Sequence, residues 1–193
     1  MTRALSWRIL GAGLLLAVML VGLVVSESRA RAKGQEVLLP MEAVDPRNLL
    51  TGHYSSLRLT QQLPVGQNCP ARNTSYREGG WLALTKADGH HRFVGTASTR
   101  EAALKLGELA VRGGVYCART AFAEGEQNAV TLDIGVDRFH ADQAEAQAMD
   151  RALAARRPGE AANAFAAVSV GRDGRARLKG VILDGKRTDL TWW

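Results

Sequence analysis

The 193 residues contain no G-x-S-x-G elbow, no S-x-x-K, no H-x-x-x-H and no C-x-x-C spacing. The chain therefore shows no recognisable nucleophile with a positioned base, and no tetrahedral metal-ligand pattern. Glycine-rich phosphate loops are missing too. Gly113-Gly114 precedes an extended stretch, not a helix, so no helix N-terminus awaits an anion there. No fixed repeat period, low-complexity tract or βαβ alternation is present. Aromatic residues make up only 6%, and two of the four tryptophans are the terminal pair Trp192 and Trp193. Neither a cofactor nor a metal is expected.

Charge of one sign is not lacking, but its placement is uneven. The net charge is +6. Arg3, Arg8, Arg29, Arg31 and Lys33 stand against Glu27 alone within residues 1–33, and the rest of the chain is nearly balanced. A nucleic-acid binder carries its basic excess on the folded body. Here the excess flanks an apolar run, where anionic headgroups attract Lys and Arg. No nucleic-acid partner is expected.

That run, Ile9 to Val25, holds no charged residue. As a helix rising about 1.5 Å per residue it reaches the lower limit for crossing a bilayer. Trp7 and Arg8 extend it, the indole at the interface and the guanidinium reaching outward. Ser28-Arg29-Ala30 resembles the small-x-small pattern of a cleaved signal. The run is longer than a usual signal core and cations follow it closely, which favours an uncleaved anchor. The expected organisation is a flank (1–8), a transmembrane anchor (9–25), a polar linker (26–35) and a soluble domain (36–193). Flanking cations are nearly tied, so the positive-inside rule does not orient the chain.

Within the soluble part, Leu57, Leu59 and Leu63 alternate with Arg58, Thr60 and Gln62, as in a half-buried strand. Pro64 to Gly80 is rich in turn residues and reads as a long excursion. Asp88-Gly89, Asp173-Gly174 and Asp184-Gly185 are hairpin or turn signals between apolar stretches. Leu109–Phe122 reads as extended with a bend at Gly113-Gly114, and Arg100–Leu106 has helical composition cut short by Gly107. Ala141 to Arg157 has the strongest helical pattern, ended by Pro158-Gly159. The expected fold is mainly β with one sizeable α-helix, a β-sandwich or small partly open barrel, preceded by a single N-terminal transmembrane helix.

Asp45-Pro46-Arg47-Asn48-Leu49-Leu50-Thr51-Gly52-His53-Tyr54-Ser55-Ser56-Leu57-Arg58-Leu59 resembles the signature of the GDYXXLXY domain proteins. Asp45, Pro46, Arg47, Leu50, Gly52, Tyr54 and Leu57 match that pattern. His53 stands where the family has Asp, and Leu59 replaces the last Tyr. The likeness continues at Asp133-Ile134-Gly135-Val136 and in Val170–Gly180. It implies a bacterial protein with an N-terminal membrane segment and a soluble domain without an assigned activity. Any role of a carboxylate at position 53 is absent from this chain.

Read physically, Arg47 offers a bidentate clamp for a carboxylate, Gly52 a tight entry to the strand, and Tyr54 a ring with a polar tip. Asp45, Arg47, Gly52, His53 and Tyr54 are the candidate partner- or ligand-binding residues. No catalytic residue is assigned. Cys69 and Cys117 form a disulfide in an extracytoplasmic compartment, or remain two buried thiols elsewhere. His90 and His91 are adjacent and point to opposite faces of a strand, which suits no single metal. The expected function is an accessory or interaction domain, anchored in the inner (cytoplasmic) membrane with its body in the periplasm, partnering a multi-pass membrane protein. The rivals are an envelope hydrolase with a site near Tyr54, and a carrier of lipid or small molecules.

Overall fold

The computed structural model describes residues 2–43, 54–64, 66–70, 73–122, 125–136, 138–140 and 164–190. The helix expected at 141–157 lies outside these residues, as does all of the signature ahead of Tyr54.

The apolar run lies inside one long helix, α1 (Thr2–Lys33). It contains no proline, and its many Ala and Leu residues are strong helix formers. Its segment Trp7–Lys33 is long and apolar enough to cross a membrane, and an 18-residue stretch within it has a mean hydropathy of 2.6 and is unburied by the rest of the chain. The polar stretch after Val25 is helical as well, up to Lys33. Arg31 and Lys33 in the last turn complement the negative end of the helix dipole. Gly34 closes α1 by donating to the Ala30 carbonyl (3.2 Å) and leads straight into a strand.

Among the described residues twelve strands follow, and every pairing is antiparallel. One sheet has the order β1 (Gln35–Pro40), β10 (Ala164–Val170), β11 (Ala176–Leu183), β12 (Lys186–Asp189). A second runs β2 (Glu42–Ala43), β3 (Tyr54–Gln62), β8 (Gly125–Asp133), β7 (Gly114–Phe122), with β9 (Arg138–His140) also on β3. The third is β5 (His90–Ala97), β4 (Trp81–Ala87), β6 (Leu109–Arg112). Among the described residues the three sheets do not close into a barrel.

The chain changes sheet at Met41. β1 pairs with β10, Met41 donates to the Ala164 carbonyl, and β2 then pairs with β3. Such a switch makes a corner between packed sheets. One apolar core serves all three sheets. It includes Val37 and Leu39 from β1, Leu57 and Leu59 from β3, Leu82 and Leu84 from β4, Val130 and Leu132 from β8, and Val168 and Val181 from β10 and β11.

Two of the turn signals give two-residue hairpins. Asp88-Gly89 and Asp184-Gly185 have positive φ at both positions (52° and 81°, 50° and 78°), the geometry that matches strand twist. The β10–β11 connection is wider. Gly171 donates to the Arg175 carbonyl, and Gly174 sits at φ 76°. The stretch of helical composition cut short by Gly107 is helix α2 (Arg100–Leu106). Thr99 caps it by accepting from the Ala102 N–H (3.2 Å), and Gly107 ends it in close approach to the Leu84 carbonyl.

Candidate functional site

Of the five signature residues singled out in the sequence, Asp45, Arg47, Gly52 and His53 lie outside the described residues. Tyr54 is the first residue of β3, in register with His140 of β9. Beyond it, Leu57 and Leu59 are buried in the core, with Leu59 only 1% exposed. Leu at position 59 thus fills the core without the hydroxyl of the family's Tyr. β3 is an interior strand, flanked by β2 on one edge and by β8 and β9 on the other. The second half of the signature is therefore a structural spine, and its first half leads into it.

A second cluster forms where α1 meets the body. Arg177 on β11 directs its Nε and Nη2 to both oxygens of Glu27 in α1 (2.5 and 3.3 Å), and Nη2 also reaches Asp173 (3.1 Å). Its side chain is 11% exposed. The two carboxylates raise the guanidinium's pKa, which burial opposes, and Arg177 in turn lowers that of Asp173. Beside it, Glu36 of β1 accepts from Lys179 (2.6 Å) and from Arg187 (2.7 Å), whose Nε also binds Asp189 (2.7 Å). The bonds from Arg187 and Lys179 hold the Glu36 carboxyl down at about 2. This outer face joins α1, β1, β11 and β12. Asp173 and Asp189 are near neighbours in sequence of the cations they meet. Glu27 and Glu36 instead lie 150 and 151 positions from Arg177 and Arg187, so that half of the network is not visible in the sequence.

The remaining candidates are structural. Cys69 and Cys117 are joined in a disulfide with their Cα atoms 5.6 Å apart. It ties the Pro64–Gly80 excursion to β7. Nearby, Asn73 accepts from the Cys117 N–H (2.8 Å), and Thr74 exchanges bonds with Val115. The free edge of β7 is covered in this way. His91 is buried, and its Nδ1 accepts from the Leu38 N–H (3.3 Å). Burial, followed by the nearby Lys86, lowers its pKa. His90 instead lies beside Phe165, with ring centroids 5.5 Å apart. Among the described residues, no group of three or more His, Cys, Asp or Glu side chains is placed to hold a metal.

A family model described as GDYXXLXY protein matches residues 16–181, most of the chain. The chain is a member of the GDYXXLXY family. The match begins inside the apolar part of α1 and ends within β11, so in this GDYXXLXY protein part of the helix belongs to the same family unit as the β body. No curated protein and no solved structure matches the chain.

Proposed function

We propose that this GDYXXLXY protein is a non-enzymatic accessory domain, held at the periplasmic face of the inner membrane, that works with an integral membrane protein. The observation that carries the reading is the junction at Gly34. α1 passes into β1 through this one residue, and Arg177 clamps α1 to β11 through Glu27. A body meant to search widely for soluble ligands needs slack in its tether. This one has a fixed posture beside the bilayer, which suits a partner embedded in the same membrane. The disulfide supports an oxidising compartment, since such bonds are rare in the cytosol. Asp45, Arg47, Gly52, His53 and Tyr54 are the proposed partner contacts, in a segment that ends on the interior strand β3.

The test is purification of the full chain in mild detergent, followed by cross-linking and mass spectrometry. A stoichiometric membrane partner is expected, lost in R47A and Y54A variants that keep the wild-type melting temperature. Recovery of the protein alone, with cross-links only to itself, would overturn the reading. A topology reporter fused at Trp193 that works only in the cytoplasm would overturn the periplasmic side.

A further inference from the structure

Beyond that reading, we infer that the β10–β11 turn is an anionic-lipid contact, in which Arg172 and Arg175 bind the phosphate headgroups around α1. The clamp at Arg177 sets its height. Glu27 and Asp173 share one guanidinium, so Asp173 lies beside the turn of α1 that carries Glu27. Glu27 is two residues past Val25, the last of the apolar run, which is about 3 Å of helical rise. The strand register agrees. Gln35, immediately after Gly34, pairs with Val170, so β10 runs toward the end of the body from which α1 departs, and the turn projects there.

The charge at this turn is cationic. Arg177 offsets one of the two carboxylates it binds, and the exposed Arg172 and Arg175 more than offset the other. This end of the body is left with a net positive charge carried by its two exposed guanidinium groups. The turn is also braced from behind. A Cβ at Gly174 would lie 2.3 Å from the Trp81 ring, the Arg112 N–H donates to the Gly174 carbonyl (2.8 Å), and the Arg112 guanidinium covers the same ring at 5.3 Å. Trp and Arg at this level are the residue types that settle among headgroups. Lys or Arg near an anionic surface gains attraction that fades within a Debye length, so placement within a few ångström of the headgroups is what makes these two effective. The inference holds on either side of the membrane.

The full chain in neutral-detergent micelles, titrated with phosphatidylglycerol or phosphatidylcholine and read by native mass spectrometry, tests it. Wild type should retain phosphatidylglycerol preferentially, above a baseline set by Arg29 and Lys33 in all variants. R172Q/R175Q should lower that preference by about tenfold or more, and R172K/R175K should restore most of it. K86Q/R92Q, at the far end of the β4–β5 hairpin, removes the same charge and should leave it unchanged. An unchanged preference in a folded R172Q/R175Q variant would overturn the inference. So would an equal drop in K86Q/R92Q, which would make the effect one of net charge alone. Loss of a co-purified protein without loss of lipid would overturn it too, assigning the turn to a protein contact.

Discussion

Gln61 lies among leucines on the inward face of β3, where a hydrocarbon would be the simpler occupant. Its side chain is buried because it completes the edge of another sheet. Nε2 donates to the His91 carbonyl (3.1 Å), and Oε1 accepts from the Phe93 N–H (2.7 Å). Gln61→Leu would leave both backbone groups without partners, each costing about 1–3 kcal/mol. Urea denaturation should show Q61L destabilised by roughly 2–4 kcal/mol, well beyond the effect of T60V on the opposite face. His91 gives a pH signature. Its folded pKa is below the ordinary 6.5, so under that pH the unfolded chain takes up the proton first and stability falls with falling pH. The Leu38 bond requires an unprotonated Nδ1, which acts in the same sense. The urea midpoint should drop between pH 7 and 5 in wild type and stay flatter in H91Q, whose amide oxygen can still accept from Leu38. Glu36 acts lower on the scale. Its carboxyl is held at about 2, so its contribution is present above the ordinary 4.5 and lost as pH falls toward 2. Glu36 is more than a third exposed, so that contribution is screened and should shrink in salt. E36Q should flatten the acid limb of the stability curve at low salt. The alternation through Leu57, Leu59, Gln61 and Leu63 was legible in the sequence. The reason for a glutamine was not, since its partners come from a strand 30 and 32 positions on.

At the scale of elements, what could be read depended on how local the cause was. Asp-Gly at 88–89 and 184–185 forces positive φ by itself, so both hairpins were legible. The break at Gly113 was legible from the Gly-Gly pair, which weakens a strand locally without needing positive φ, although its tightness was not. A Cβ at Gly114 would fall 2.3 Å from the Thr74 carbonyl, which belongs to the excursion lying along β7. G114A should therefore lower stability by about 1–3 kcal/mol, as other overpacked sites do. The excursion itself read only as a loop. Its role as the cover of an edge strand depends on bonds to β7 and β8 across 41 or more positions. Removing the disulfide as C69S/C117S should cost about 2–4 kcal/mol. Hydrogen exchange should then rise first at Thr74, Val115 and Cys117, the amides that the cover protects.

For the whole molecule, the antiparallel β character follows from short alternating runs divided by turn residues, and the apolar helix from an uninterrupted hydrophobic stretch. The division into three sheets around one core was not legible, because nothing local marks Met41 as the point where a strand leaves one sheet for another. The full chain should stay with the membrane fraction after an alkaline carbonate wash, and deletion of residues 2–25 should release it. Gly34 is the only residue between α1 and β1. A pull on the anchor along the strand direction therefore meets no slack. It loads β1 lengthwise, and the six residues paired with β10 from Gln35 to Pro40 share that load in shear rather than opening one at a time. Drag exerted by a moving membrane neighbour would reach the β body as force on its first sheet.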